Sequence, residues 1–309
     1  MGHEITRSAI EAAAERIAPY ARKTPVLRLP EGSFGLSFPL VLKLEHHQRS
    51  GSFKSRGAYN LLLARQVPAA GVVAASGGNF GLAIAEAAST LGIPATVFVP
   101  EAITPEKLEH FEGYGATVKV VPGFYADALA ASQQFVSSSG ALLGHAYDLP
   151  EIVAGAGTLA LELDRQAPEI DAVAVAVGGG GLIGGIASWF RGDIDVVGIE
   201  TEGTPTLRSA LAANRPVDVE ISGIAADALG AKRIGEIGFE AASRWATGSY
   251  LVSDEALLKA RRALWDEVRV LCEPAAAAPL AGLLERIYRP KAGQTVCLVI
   301  CGANGRLEL

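Results

Sequence analysis

The sequence predicts an α/β protein whose mostly parallel sheets are covered by helices on both faces. Short β-branched and small apolar runs alternate with segments of helical periodicity along most of the 309 residues. Half of the residues are hydrophobic and 19% are charged, which provides enough apolar material for a sizeable core. No repeat, linker or low-complexity stretch divides the chain, so we expect two interleaved domains rather than two consecutive ones.

The predicted elements are pairs of a strand and a following helix. Each strand is a buried apolar run, and each helix has apolar residues on one face. In the second pair, Thr104 suits the helix cap and Pro105 suits the first turn. The pairs are residues 71–76 with 79–92, 95–100 with 104–115, 116–121 with 125–140, 171–177 with 182–190 and 196–200 with 205–213, and residues 295–302 form a final buried strand.

Composition excludes several classes of protein. The net charge of −6 and the absence of a basic run argue against binding of nucleic acid. Residues 172–190 are uncharged and long enough to cross a membrane, but their six glycines and alternating start favour a strand, a glycine turn and a short helix. Cys297 and Cys301 would lie roughly 13 Å apart in a strand, too far for a disulfide. With no signal peptide at the N-terminus, we expect a cytoplasmic protein.

Lys54 lies in "SGSFKSRGAYN", residues 50–60, where an apolar helix begins. One interpretation is an ordinary helix start, capped by Ser50 or Ser52, with a solvated lysine. The other is that the amine forms a Schiff base with a carbonyl cofactor. In that case Phe53 would supply apolar surface that lowers the pKa of the amine.

A glycine-rich loop, "VGGGGLIGG", follows a predicted strand and precedes a helix. The N–H groups of its four consecutive glycines, 178–181, are suited to wrap an anion, and the helix dipole favours negative charge there. Gly179, Gly181 and Gly184 also match the dinucleotide pattern GxGxxG, and Glu200 follows Gly181 by 19 residues. A third interpretation is that the glycines only ease packing between helix and strand.

Two further loops carry candidate residues. In "ASGGNFG", Ser76, the N–H groups of Gly77 and Gly78 and the amide of Asn79 could bind a carboxylate; alternatively, Asn79 only caps the helix. Cys301 ends the last strand, where a cysteine is more often a core residue than a ligand.

Taken together, these segments resemble the fold-type II pyridoxal-phosphate enzymes, specifically the serine/threonine dehydratase and serine racemase family. The likeness runs from about Thr24 to the C-terminus. It includes, in family order, "KLEHHQRSGSFKSRGA", "SGGN", "YDLPEIVAGAGTLALEL", "VGGGGLIGG", "VVGIETEG", "AKRIGE", "CEPAAAA" and "CGAN". The resemblance implies the tryptophan synthase β-like fold. Its large cofactor-binding domain would comprise residues 1–69 and 148–309, and its small domain, residues 70–147, would carry the carboxylate loop.

The resemblance also implies a role for each candidate residue. Lys54 would bind pyridoxal 5′-phosphate covalently and would be catalytic, as would Ser76. The remaining cofactor-binding residues would be Phe53, Asn79 at the 3′-oxygen, Gly178, Gly179, Gly180, Gly181 and Leu182 at the phosphate, and Cys301 at the pyridine nitrogen. The substrate would contact Ser76, Gly77, Gly78, Asn79 and Tyr147.

The implied reaction is the β-elimination of a β-hydroxy amino acid, such as L-threonine or L-serine, to a 2-oxo acid and ammonia. The lyase would be a homodimer. Gly77, which replaces the serine of racemases, and the aromatic Tyr147 favour a dehydratase. Serine racemase and a β-replacement synthase remain alternatives within the fold, and a nicotinamide-dependent oxidoreductase remains one from another class.

Three positions depart from the family pattern. Ala228 follows Asp227 where relatives have glycine, which bears on the contact of that loop with the cofactor's 3′-oxygen. Leu82 stands where glutamine is common, so the side-chain pocket could suit another substrate than threonine. Thr206 replaces the aspartate that, with the counterpart of Glu200, binds a cation in some relatives, so we expect no metal.

Overall fold

A computed structural model describes residues 4–305. Its helices are α1 (Arg7–Ile17), α2 (Lys54–Ala64), α3 (Asn79–Leu91), α4 (Pro105–Gly113), α5 (Tyr125–Ser139), α6 (Pro150–Gln166), α7 (Gly181–Phe190), α8 (Thr206–Ala213), α9 (Ala226–Leu229), α10 (Glu236–Trp245), α11 (Asp254–Val268) and α12 (Ala278–Leu284). Its strands are β1 (Val26–Leu29), β2 (Leu40–Lys43), β3 (Val72–Ala75), β4 (Ala95–Pro100), β5 (Thr117–Val121), β6 (Leu142–Gly144), β7 (Ala172–Ala176), β8 (Asp195–Thr201), β9 (Gly248–Val252) and β10 (Val296–Val299).

The strands form two sheets, which confirms the predicted α/β class. The larger sheet has the order β1-β2-β10-β7-β8-β9, and only its edge strand β1 is antiparallel. The smaller sheet has the order β5-β4-β3-β6 and is entirely parallel. Because the carboxyl ends of parallel strands share one edge, the loops after β3, β7 and β10 each leave their sheet at that edge.

The sequence order of the strands supports two interleaved domains. All four strands of the smaller sheet lie between residues 72 and 144, and the strands of the larger sheet lie on either side of that segment. We therefore propose the division into a large domain of residues 1–69 and 148–309 and a small domain of residues 70–147.

Residues 172–190 are the most completely buried part of the larger domain. They form β7, a glycine loop and α7, as their pattern predicts, and every residue of both elements is buried. A parallel strand that is covered on both faces reads as a continuous apolar run, which is why this stretch imitates a membrane span. Among the described residues, no helix is long and apolar enough to cross a bilayer.

Three predicted helix caps differ from the structure. The residue before α2 is Phe53, so neither Ser50 nor Ser52 caps that helix; instead, the Ser50 hydroxyl lies 2.7 Å from that of Ser55. Gly78 precedes α3, and Asn79 is its first residue. Thr104 does precede α4, but its side chain makes no capping hydrogen bond. At α3, the Asn79 side chain bonds to the distant Glu273 instead of capping the helix, and before α2 the buried Ser52 hydroxyl has no partner among the described residues.

A buried ionic network anchors the first turn of α2. Arg56 donates to both carboxylate oxygens of Glu45, at 2.8 and 2.7 Å, and to Glu162 at 3.1 Å. Lys43 Nζ donates to the other oxygen of Glu162 at 2.5 Å. Paired charges of this kind are tolerated in an interior because each charge has its partner. The network therefore joins the helix that begins at Lys54 to β2 and α6.

Candidate active site

Lys54 is the first residue of α2, and its side chain points into the protein. Its Nζ donates to the backbone oxygen of Ala146 at 2.7 Å and lies 5.0 Å from the centre of the Phe53 ring. Burial lowers the pKa of Lys54 to about 8, although Cys301 and Glu273 act in the opposite direction. A solvated surface lysine would keep an ordinary pKa. The interpretation of Lys54 as a solvated helix-start residue is therefore wrong.

This lowered pKa gives a pH dependence that can be measured. An amine attacks an aldehyde only when neutral, and with a pKa of about 8 roughly one Lys54 amine in ten is neutral at pH 7. We expect the rate at which cofactor-free protein captures pyridoxal 5′-phosphate to rise with pH, to be half-maximal near pH 8 and to level off towards about pH 9. Nα-acetyl-lysine, measured in parallel, should still be rising at pH 9. A protein rate that follows the free amine would contradict the lowered pKa.

The loop before Lys54 is attached to the loop that contains Cys301. Phe53 N donates to the Cys301 carbonyl oxygen at 3.0 Å, and Ser52 pairs with Gly302 in an isolated antiparallel bridge. The Cys301 thiol is buried, and burial raises its pKa well above the usual value. Two loops far apart in sequence thus place an amine and a neutral thiol in one region.

The glycine loop lies between β7 and α7. Within residues 4–305, the N–H groups of 178–182 donate to no protein acceptor. Gly180 has φ +85°, a backbone conformation that favours glycine. A Cβ at Gly179 would lie 2.1 Å from Tyr147 Cδ1, and one at Gly181 would lie 3.0 Å from the backbone carbonyl oxygen of Tyr147. The loop is therefore a set of unpaired N–H groups that packs directly against Tyr147.

The segment Ala146–Tyr147 connects the two halves of the site. Ala146 accepts the hydrogen bond from Lys54, and the next residue packs on the glycine loop. The amine and the glycine loop therefore both contact the same short segment. The structure thus brings together the two features that the sequence separates by more than a hundred residues.

The loop after β3 presents Ser76 and Asn79. Gly78 N donates to Ser76 Oγ at 3.3 Å. Asn79 Nδ2 donates to Glu273 Oε1 at 2.8 Å, and Asn79 Oδ1 accepts from Asn304 Nδ2 at 2.8 Å. The Asn79 amide is thus a bridge to distant loops, and the interpretation of Asn79 as a plain helix cap is wrong.

Sequence reasoning missed His145, Glu273 and Asn304 as site residues. His145 Nδ1 accepts from Asp148 N at 3.0 Å, and its ring lies edge-on to that of Tyr147, 4.7 Å between centres. Burial lowers the pKa of His145, and the nearby Lys54 charge adds to this effect. Burial raises the pKa of Glu273 to about 7. The motifs "CEPAAAA" and "CGAN" contain two of these residues, but nothing local points to their contacts.

Glu200 has a structural role in this protein. Its buried carboxylate accepts from Leu207 N at 2.7 Å, Arg208 N at 2.8 Å and Ser249 Oγ at 2.5 Å. The carboxylate therefore satisfies the first N–H groups of α8 and is not free to bind a ribose. That removes the acidic partner on which the nicotinamide interpretation depends. Among the described residues, no group of three His, Cys, Asp or Glu side chains could hold a metal ion.

The site has the donor set that pyridoxal 5′-phosphate needs. The aldehyde requires an amine of which a useful fraction is neutral near physiological pH, and the lowered pKa of Lys54 meets that requirement. The phosphate requires N–H donors at a helix N-terminus, and those of 178–182 are unpaired. A Cβ at Gly179 or Gly181 would come within 3.0 Å of Tyr147, so glycine is what lets the loop pack against that residue. The residues present fit this cofactor.

Comparisons with known proteins agree with this fit. The family described as "Pyridoxal-phosphate dependent enzyme" matches residues 17–302. An L-threonine ammonia-lyase of Geobacter sulfurreducens is 35% identical over 300 residues, which are 96% of this chain and 74% of that protein. The solved structure of a T.th. threonine deaminase is 34% identical with a TM-score of 0.91, covering 98% of this chain and 100% of that one. Maize serine racemase is 28% identical with a TM-score of 0.93, covering 98% and 95%. The chain belongs to the family of pyridoxal-phosphate dependent enzymes.

Proposed function

We propose that this protein is a pyridoxal-phosphate-dependent lyase that eliminates water from L-threonine or L-serine, giving a 2-oxo acid and ammonia. The observation that carries the proposal is the partly buried amine of Lys54, with a pKa near 8, which contacts the same segment, Ala146–Tyr147, as the glycine loop with its unpaired N–H groups. The likeness to a threonine ammonia-lyase and a threonine deaminase supports the substrate class.

Each candidate residue has a part in holding the cofactor. The amine of Lys54 would bind the aldehyde, and the N–H groups of 178–182, including that of Leu182, would bind the phosphate. Asn79 would bond the 3′-oxygen, and Phe53 would cover the amine with apolar surface. Cys301, as a neutral thiol, would meet the pyridine nitrogen without placing a charge there. When bound, the cofactor supplies an electron sink for the pair left behind when a Cα proton is removed.

The chain's own residues would then carry the elimination. Ser76 and the N–H groups of Gly77 and Gly78 would orient the substrate carboxylate, and Tyr147 would border the side chain. The amine of Lys54, once released, would take the Cα proton as general base. Loss of the β-hydroxyl with one proton as water leaves an enamine. One water then hydrolyses this enamine to the 2-oxo acid and ammonia, so the net reaction consumes no water.

Elimination is favoured over racemisation by the surroundings of Gly77. Racemisation needs a second acid that protonates Cα from the face opposite Lys54. A Cβ at Gly77 would have as its nearest neighbours side-chain carbons of Ile103 and Val99, at 3.6 and 3.8 Å. This position therefore offers no side chain of its own to donate the proton, and the nearest atoms from residues outside the loop are carbons.

Product analysis separates the candidate activities. Purified holoenzyme is incubated with L-threonine, L-serine or phenylserine, and the 2-oxo acid, D-serine and sulfide-dependent cysteine are quantified. We expect the 2-oxo acid and ammonia in equal amounts, with D-serine and cysteine as minor products. Predominant D-serine or cysteine would overturn the lyase proposal in favour of a racemase or a synthase. Borohydride treatment followed by peptide mass spectrometry should place the reduced cofactor on Lys54.

We also propose that the protein is a cytoplasmic homodimer. The cysteines at 272, 297 and 301 are buried and free, as suits a reducing compartment. Light scattering coupled to size-exclusion chromatography measures the mass directly. A peak at twice the chain's 32.0 kDa is expected, and a single peak at that mass itself would overturn the dimer.

A further inference from the structure

Glu273 occupies an unusual position for a carboxylate. It is buried, and it packs over Gly302, where a Cβ would lie 2.7 Å from Glu273 Oε1. Its hydrogen-bond donors among the described residues are the Asn79 amide and the backbone N–H of Asn304, at 3.3 Å; none of them is a cation. A buried carboxylate is costly without a charged partner, so a role for it is expected.

The hydrogen bonds around Asn79 admit one amide orientation. The backbone oxygen of Ser50 can only accept, and it lies 2.6 Å from Asn304 Nδ2. That assignment places the Asn304 NH₂ group toward Asn79 Oδ1, at 2.8 Å. Asn79 Nδ2 must then face Glu273, where it lies 2.8 Å from Oε1 and 3.1 Å from Oε2. A single orientation of each amide therefore satisfies all of these hydrogen bonds.

One N–H of Asn79 remains after these bonds. The NH₂ group has two hydrogens, and one hydrogen pointing between the two close oxygens of a single carboxylate accounts for both contacts with Glu273. No other acceptor for Asn79 Nδ2 is found within residues 4–305. Asn79 begins α3, next to the loop that contains Ser76, and this second N–H has no acceptor among the described residues.

We propose that Glu273 and Asn304 are positioning residues that fix the Asn79 amide so that its second N–H is directed to the 3′-oxygen of the cofactor. This inference rests on the proposed role of Asn79 in cofactor binding. Neither residue touches the cofactor itself; each acts through Asn79. Their loops belong to the larger sheet and Asn79 to the helix after β3, so the arrangement also joins the two domains at the site.

A residue that acts only through Asn79 has no effect once Asn79 is removed. Pyridoxal 5′-phosphate affinity is therefore measured by equilibrium dialysis for Glu273→Ala and Asn304→Ala, each alone and combined with Asn79→Ala. We expect each single variant to weaken binding about tenfold, the size of a lost hydrogen bond in a buried site. In the Asn79→Ala background, the same changes should alter affinity by less than about twofold. Losses that remain tenfold there would overturn the proposal.

The conservative variant separates orientation from charge. In Glu273→Gln, the side-chain oxygen can still accept from Asn79 Nδ2, so most of the affinity should be retained. Equal losses for Gln and Ala would contradict positioning, because charge alone would then explain the effect. Glu86→Gln is the matched control: Glu86 is buried and bonded to Tyr59, away from the site. Circular dichroism melts of cofactor-free protein check folding, and Asn304→Ala keeps the test decisive if Glu273→Ala does not fold.

The readout is independent of turnover. Cofactor affinity can be measured even if the protein releases no 2-oxo acid from any hydroxy amino acid. Failure of the lyase proposal would therefore leave this result interpretable. A purely structural role of Glu273 would appear as a lowered melting temperature and as a loss of affinity that persists in the Asn79→Ala background.

Discussion

Replacing Lys54 with alanine is expected to lower the turnover of L-threonine by at least about a thousandfold. The change removes both the amine that binds the cofactor and the base that takes the Cα proton. Burial lowers the pKa of this amine to about 8, so at pH 7 the protein retains a charged group in an unfavourable place. Removal of the amine should therefore leave the melting temperature of cofactor-free protein unchanged within a few degrees.

The matched control for this variant is Lys259→Ala. Lys259 is exposed on α11 and pairs with Glu255 at 3.0 Å, so it should behave like the unmodified protein in assay and spectrum. Turnover is measured by 2-oxo acid release and cofactor binding by the visible absorption band. A Lys54→Ala protein that keeps more than a tenth of the activity, or that still carries a borohydride-reducible cofactor, would refute the assignment.

Replacing Arg56 with methionine is expected to destabilise the protein by about 3–5 kcal/mol. The guanidinium is buried and bonds to Glu45 and Glu162. Methionine fills a similar volume but leaves these carboxylates without that partner, and Lys43 can compensate only part of the charge. Denaturant unfolding of cofactor-free protein measures the change. Since Arg56 lies two residues after Lys54, cofactor affinity should fall as well.

Arg65→Met, at the opposite end of the same helix, provides the comparison. Arg65 pairs with Glu151 at 2.6 Å, but its side chain is 49% exposed. Its replacement should therefore lower the free energy of unfolding by at most about 1 kcal/mol. Similar losses of unfolding free energy for the two variants would show that burial of the ion pair does not determine how much stability it contributes. Glu45→Gln combined with Arg56→Met should recover part of the stability, because one unpaired charge is then removed.

Local periodicity was enough to predict the alternating strands and helices of residues 71–140 and 171–213 and the final strand. All five strand–helix pairs and the final strand occur in the structure, since an apolar run or a helical stripe is a property of neighbouring residues. The short strands β1, β2, β6 and β9 had no such signal. Each has three to five residues, and whether such a segment pairs depends on the strand beside it.

The candidate site, too, has features that the sequence predicts and features that it leaves open. Lys54, the four glycines and the Ser76–Asn79 loop stand at strand–helix junctions, which a sequence reveals because glycine and polar residues interrupt an apolar pattern there. The same patterns left open whether Lys54 was solvated and whether Asn79 was a cap. Burial of the amine and the contacts with Glu273 and Asn304 resolved both.

The sequence by itself thus determined the α/β class, the order of the main elements and, by resemblance, the cofactor and the reaction to test. The tertiary structure alone decided which partners surround each buried ionisable side chain. Glu200 bonds to the start of α8, Arg56 to Glu45, and Glu273 to Asn79. The reason is physical. A pKa and a hydrogen bond depend on desolvation and on atoms a few ångströms away, and in this fold those atoms come from distant segments of the chain.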